Sequence, residues 1–134
     1  MYAAVLVLFF TACGSSASNL TPEDGEDAGR EFIRAVLDGD YVKADMFVLP
    51  EDEDKQLFKR YADYMRKQPG KELVELKQAN ITIHEIQQQG DSVVLINYSN
   101  SHSHKPATVK VLKRDGRWWV DFSYTFAGEK KTAP

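Results

Sequence analysis

The chain has 134 residues, of which 43% are hydrophobic and 28% charged, and its formal net charge is −3. This length fits one domain with its own core, and the composition argues against a chain that is disordered throughout. A negative charge with scattered Lys and Arg residues argues against a nucleic-acid partner, which would call for a basic patch. Because cysteine occurs once, no intramolecular disulfide is possible.

A short apolar run followed by that cysteine marks the N-terminus. The run AAVLVLFF at residues 3–10 is shorter than the roughly 20 residues of a bilayer crossing but suits a secretory signal. The residues FTAC, followed by Gly and Ser, resemble the lipobox of bacterial lipoproteins, in which the cysteine becomes the lipidated N-terminus. We therefore expect residues 1–12 to be a signal peptide, Cys13 to be lipidated and residues 13–20 to include a flexible tether.

Two features depart from the lipobox pattern. Phe10 stands where Leu is commoner, and no Lys or Arg precedes the apolar run. The missing charge would also fit a start Met assigned too late. The alternative structure is a buried N-terminal strand with Cys13 in the core. Gly14 and Ser15 lack the acidic residue that often follows the cysteine of inner-membrane lipoproteins, so the outer membrane is the favoured location where the cell has one.

The domain is predicted over residues 21–127 and begins with helices. Thr21, followed by Pro and acidic residues, is typical of a helix start, and Gly39 suits the end of that helix. Asp40 is expected to cap a short second helix that runs to residue 47 or 48.

A third helix is predicted over residues 54–66. The acidic residues 51–54 at its start are expected to face water near the positive end of the helix dipole. Residues 72–79 fit either a helical turn or a first strand. At the other end of the chain, residues 128–134 are predicted to be a disordered tail.

The second half of the domain is predicted to be an antiparallel sheet. Residues 80–86 and 92–98 read as strands, and the second is apolar on both faces, as a central strand would be. The dipeptide at Asp115 and Gly116 is typical of a two-residue turn with positive φ at both positions. It predicts a hairpin over residues 108–124.

The turn sets the register of that hairpin. It places Leu112 opposite Trp119 and Lys110 opposite Asp121 on one face. A turn longer by one residue would exchange the two faces. The predicted core face carries Val109, Val111, Trp118, Val120, Phe122 and Tyr124.

Three short motifs carry a family resemblance over residues 22–126. They are AVLDGDYVKA at residues 35–44, GDSVVL at residues 90–95 and VLKRDGRWWVD at residues 111–121. With them the chain resembles small bacterial lipoproteins of unknown function in the nuclear-transport-factor-two-like, or cystatin-like, superfamily. The resemblance implies an α+β fold with N-terminal helices packed on a curved antiparallel sheet, and no established activity.

Tyr98, Tyr124 and His84 are the candidate residues for a cavity between helices and sheet. Superfamily members with ketosteroid-isomerase-like activity pair a carboxylate base with a tyrosine in such a cavity. Asp121 would be the carboxylate, but the predicted register puts it on the opposite face beside Lys110. A cross-strand ion pair is the role we expect, so we assign no catalytic residue and no cofactor.

The remaining histidines, His102 and His104, lie two residues apart in a polar loop over residues 99–106. Zinc sites use three or four ligands in a fixed geometry, which two neighbouring imidazoles do not supply. We expect a solvated loop and assign no metal site.

Trp119 and Leu112 form the candidate interaction surface, because they are the large apolar residues expected on the face away from the helices. One interpretation is a partly covered aromatic residue that stiffens the sheet. The other is an interface with a second copy or with another envelope protein.

The leading functional interpretation is a lipid-anchored cell-envelope protein that acts as a non-catalytic binding or interaction module. The alternatives are a small-molecule enzyme of isomerase type that uses the helix–sheet cavity, and a structural envelope component. The predicted partners are the membrane, through the anchor, and a protein bound at the sheet face.

Overall fold

The computed structural model describes residues 24–125 as helices followed by a curved antiparallel sheet. The predicted signal peptide, Cys13 with its tether and the tail at 128–134 lie outside the described residues. This arrangement confirms the α+β class. The elements are α1 (Gly25–Leu37), α2 (Tyr41–Asp45), α3 (Asp52–Arg66), α4 (Gly70–Gln78), β1 (Ile81–Gln89), β2 (Val93–Asn100), β3 (Ala107–Arg114) and β4 (Arg117–Asp121).

Helix α1 begins at Gly25, and its N-cap lies three residues after Thr21, the predicted N-cap. Its N-cap is Asp24, whose Oδ1 accepts a hydrogen bond of 2.8 Å from the backbone N–H of Asp27. A Cβ on Gly25 would come within 2.8 Å of the Val94 side chain. The helix therefore starts directly against the sheet.

The boundaries of the other helices differ from the predicted ones by a few residues. Asp40 caps α2 as predicted, but α2 ends at Asp45 instead of reaching residue 47 or 48. Helix α3 starts two residues before the predicted position 54. The ambiguous residues 72–79 fall largely within α4.

The four strands follow one another as an antiparallel meander in the order β1-β2-β3-β4. At the predicted turn, Asp115 and Gly116 have φ angles of 54° and 74°. Leu112 pairs with Trp119 across β3 and β4, which confirms the predicted register. The hairpin is shorter than predicted, because β4 ends at Asp121 and residues 122–125 form a helical turn.

The core lies between the helices and one face of the sheet. Three phenylalanine rings meet in it: the centroid of Phe58 lies 6.0 Å from that of Phe32 and 5.3 Å from that of Phe122. The backbone at Val48 forms an isolated parallel bridge with Val120, so the segment after α2 covers the outer edge of β4. The edge of β1 has no strand beside it among the described residues.

One acidic residue departs from the expectation that residues 51–54 face water. Asp54 is only 4% exposed, and its Oδ1 accepts a hydrogen bond of 2.9 Å from the backbone N–H of Ser123. The burial is tolerated because the carboxylate has a specific donor.

None of the helices within residues 24–125 combines the length and the apolar character of a membrane span.

Candidate functional site

The face of the sheet that points away from the helices is the candidate site, and we call it the outer face. Side chains alternate along each strand, so the residues between those of the core face form it. All of them are at least partly exposed, and none belongs to the helix–sheet core. The outer face carries Glu85, Gln87, Val93, Leu95, Asn97, Thr108, Lys110, Leu112, Trp119 and Asp121.

Trp119 is held in place on this face by its own hairpin. The guanidinium carbon of Arg117 lies 4.1 Å from the indole centroid, and the indole Nε1 donates a 3.4 Å hydrogen bond to the carbonyl of Arg114. Arg117 in turn donates to the carbonyl of Met46 at 2.8 Å. The indole is therefore ordered and half-buried, with Leu112 as its cross-strand neighbour.

A groove of about 210 Å³ also lies on the outer face, formed by residues of β1, β2 and β3 together with Tyr124. Its polar lining can donate and accept hydrogen bonds through amide, carboxylate and hydroxyl groups. Leu95 supplies the aliphatic part of the lining. The lining residues are Glu85, Gln87, Leu95, Asn97, Thr108 and Tyr124.

Asp121 lies on the outer face and is engaged by structural contacts. Its Oδ1 accepts hydrogen bonds from Ser123 Oγ at 2.9 Å and from the Tyr124 backbone N–H at 3.0 Å. Its Oδ2 lies 3.6 Å from Lys110 Nζ, which confirms the predicted cross-strand pair. The carboxylate caps the helical turn that brings Tyr124 to the outer face.

The structure does not bring the three predicted cavity residues together. Tyr98 packs against the core on the helix side of the sheet. His84 lies at a β-bulge, and its Nε2 is 2.8 Å from Ser99 Oγ on the outer side. Tyr124, expected on the core face, instead lines the outer groove and is 42% exposed. The sheet therefore separates Tyr98 from the other two.

Aromatic rings and one buried carboxylate lie between the helices and the sheet. The phenylalanines between helices and sheet are at most 5% exposed and contact one another. Asp54, the buried carboxylate there, accepts a hydrogen bond from Ser123.

His102 was expected in a solvated loop, and the structure corrects this. Its side chain is 23% exposed and lies against α4, with Nε2 3.0 Å from Glu72 Oε1 and Nδ1 3.4 Å from Glu75 Oε2. His104 remains exposed, with a positive φ of 59°. A helix over residues 72–79 would have placed the two glutamates on one face, because they are three positions apart, but nothing local indicates the contact with His102.

Two perturbed acid–base groups lie on the helices, away from the outer face. Burial raises the pKa of the Tyr41 phenol, and the nearby Arg66 guanidinium, 5.0 Å from the ring centroid, partly offsets that effect. A hydrogen bond from Lys59 lowers the pKa of the exposed Asp63 carboxyl. Both pKa shifts are explained by burial and by contacts within the helices, and neither group belongs to the outer face.

No protein-family model and no curated protein matches this chain. Its function is therefore inferred from its own residues and their geometry.

Proposed function

We propose that the protein is a lipid-anchored cell-envelope protein with a nuclear-transport-factor-two-like domain, and that this domain is a non-catalytic interaction module. The lipobox-like residues around Cys13 support the anchor, and the three sequence motifs together with the α+β order support the fold family. The outer face of the sheet is the proposed binding surface.

The observation that carries the proposal is the partly exposed Leu112–Trp119 pair on a face that the core does not use. Burial of a large apolar side chain contributes about 1.5–3 kcal/mol when it is complete, so a partner would gain by covering the pair. The contacts of the indole with Arg117 and Arg114 order it before binding, which lowers the entropy cost of association. Ordered aromatic residues of this kind dominate many protein interfaces.

The shape of the surface favours a protein partner over a small molecule. The groove of about 210 Å³ is smaller than the roughly 300–1,000 Å³ of typical small-molecule sites, and it is open. A lipid anchor would also hold many copies in one plane, which raises their effective concentration. Because a two-fold interface needs only one self-complementary patch, a second copy is the partner we propose.

Introduced cysteines test this proposal on the anchored protein in its membrane. Cys13 is the only natural cysteine and would be blocked by lipidation, so Leu112→Cys or Leu95→Cys adds one free thiol to the outer face. Val42→Cys and Tyr64→Cys are matched controls, because these side chains are 75% and 63% exposed on the helices. We expect a short thiol-reactive crosslinker to join the outer-face variants into dimers and to leave the controls monomeric. Equal yields at all four positions would contradict the proposal.

The anchor is tested separately by labelling cells with a palmitate analogue. The natural chain should be labelled and fractionate with membranes, and Cys13→Ser should be neither labelled nor membrane-bound. An unlabelled natural chain in the soluble fraction would exclude lipidation at Cys13.

A further inference from the structure

Three side chains with metal-binding atoms meet at the end of the sheet away from the Asp115–Gly116 turn. Glu72 and Glu75 project from α4, and His102 comes from the loop between β2 and β3. One ligand atom from each residue can be chosen so that all three lie within 4.8 Å of one another. Among the residues that the structure describes, this is the one such cluster found.

Both sides of the cluster are held by contacts outside it. Arg34 on α1 donates hydrogen bonds to the carbonyls of Lys77 and Ala79 at 3.0 and 2.8 Å, which fixes the end of α4. In the loop, the side-chain oxygen of Asn100 accepts hydrogen bonds from the backbone N–H groups of His102 and Ser103. The donor groups are therefore brought together by fixed backbone, which lowers the cost of assembling a site.

The separation of the His102 and Glu72 ligand atoms is close to that of two ligands of one metal ion. Ligand atoms about 2.0–2.2 Å from Zn²⁺ in a tetrahedral site lie about 3.3–3.6 Å from one another. His102 Nε2 and Glu72 Oε1 are 3.0 Å apart, so replacement of the shared proton by a metal needs a small shift. Glu75 Oε2 lies 3.4 Å from the other ring nitrogen, Nδ1, so the Glu75 carboxylate must rotate toward Nε2 to share one ion with Glu72. Its side chain is 43% exposed, which leaves room for that rotation. Lys71 Nζ lies 4.0 Å from Glu75 Oε1, and its side chain is 88% exposed, so it is free to turn away.

We propose that Glu72, Glu75 and His102 form a binding site for a divalent transition metal, with Zn²⁺ as the preferred ion. One imidazole and two carboxylates are the ligand types that Zn²⁺ combines in proteins, and solvent would complete its coordination. Mg²⁺ and Ca²⁺ prefer oxygen ligands alone, so the imidazole selects against them. The bound ion would join the β2–β3 loop to α4. The site lies apart from the outer-face residues and does not depend on the proposed interaction function.

Calorimetric titration of the purified full chain in a non-ionic detergent, with zinc chloride and no competing buffer ligand, tests the site. We expect one ion per chain with a dissociation constant of about 10 µM or tighter, and no measurable heat with magnesium chloride. His102→Ala should weaken zinc binding by about tenfold or more, and Glu72→Gln and Glu75→Gln should each weaken it by a smaller factor. Zinc should also raise the thermal unfolding temperature of the natural chain by more than that of any of the three variants.

The other two histidines are matched controls. His104 lies in the same loop as His102, and His84 lies on β1. The variants His104→Ala and His84→Ala should both bind zinc as the natural chain does. Circular dichroism shows whether each variant is folded. The proposal is overturned if zinc binds more weakly than about 10 µM, or if His104→Ala lowers the affinity as much as His102→Ala. Either result would leave the three side chains as an ion-paired cluster without a metal.

Discussion

The backbone N–H of Ser123 donates a 2.9 Å hydrogen bond to the buried carboxylate of Asp54, which joins the first turn of α3 to the chain just after β4. The two residues are 69 positions apart, so the bond closes the helical half of the domain against the sheet. Ser123 belongs to the helical turn at residues 122–125, and this turn also places Tyr124 in the groove of the outer face.

Removal of this carboxylate should destabilise the domain. Asp54→Ala leaves the Ser123 N–H without its partner in a part-buried position, and we expect a loss of about 1–3 kcal/mol in the free energy of unfolding. Asp54→Asn keeps an acceptor oxygen and should lose less. Urea unfolding measures both, and Asp52→Ala, at an exposed position in the same helical turn, is the control. Equal effects at positions 52 and 54 would argue against a specific role for the bond.

A methyl group at Gly29 should also be costly, because α1 lies directly on the sheet there. Its Cβ would overlap the terminal methyl of Ile96, which is fully buried. We expect Gly29→Ala to lower the free energy of unfolding by about 1–3 kcal/mol. At Gly70 the same change meets no atom within 4 Å and should be neutral or stabilising. A tolerated Gly29→Ala would show that α1 can move away from the sheet at little cost.

Two substitutions of Asp121 separate the contribution of its cap from that of its charge to the free energy of unfolding. Asp121→Asn retains an oxygen for Ser123 and Tyr124 but loses the charge beside Lys110, and we expect a loss below about 1 kcal/mol. Asp121→Ala removes the cap as well, and should cost about 1–2 kcal/mol. Denaturant unfolding compares the two. If Asp121→Asn were as damaging as Asp121→Ala, the ion pair would be the more important contact.

Tyr41 should make the protein sensitive to alkali. Burial raises the pKa of its phenol in the folded state, while in the unfolded chain it ionises near pH 10. Above pH 10 the folded state therefore holds more protons than the unfolded state, and stability falls as the pH rises. Tyr41→Phe removes this ionisation, so its unfolding free energy should decline less steeply between pH 10 and 11 than that of the natural chain. An unchanged slope would show that Tyr41 does not contribute to alkaline unfolding.

Local sequence signals predicted the hairpin because its register depends on one turn. Asp115 and Gly116 adopt the positive φ angles that the turn requires, and alternation then fixes the pairing of Leu112 with Trp119. The α+β order followed in the same way from the helix caps and the alternating strands.

The parts that could not be predicted depend on contacts between distant segments or on local irregularity. The bulge at His84 shifts the register of β1 against β2, and no Gly, Pro or other turn residue next to it in the sequence predicts that shift. Tyr124 was assigned to the core face by continued alternation, but Asp121 ends the strand by capping a helical turn. The contact of His102 with Glu72 spans 30 positions and required α4 to be a helix.

The central claim, that the outer face binds a second copy, is tested most directly by the crosslinking of Leu112→Cys in membranes with and without Trp119→Asp. We predict that the single variant forms a crosslinked dimer and that the added Trp119→Asp reduces the yield to that of the Val42→Cys control, while circular dichroism shows both proteins folded. The claim is contradicted if Leu112→Cys crosslinks no more than Val42→Cys, or if Trp119→Asp leaves its yield unchanged.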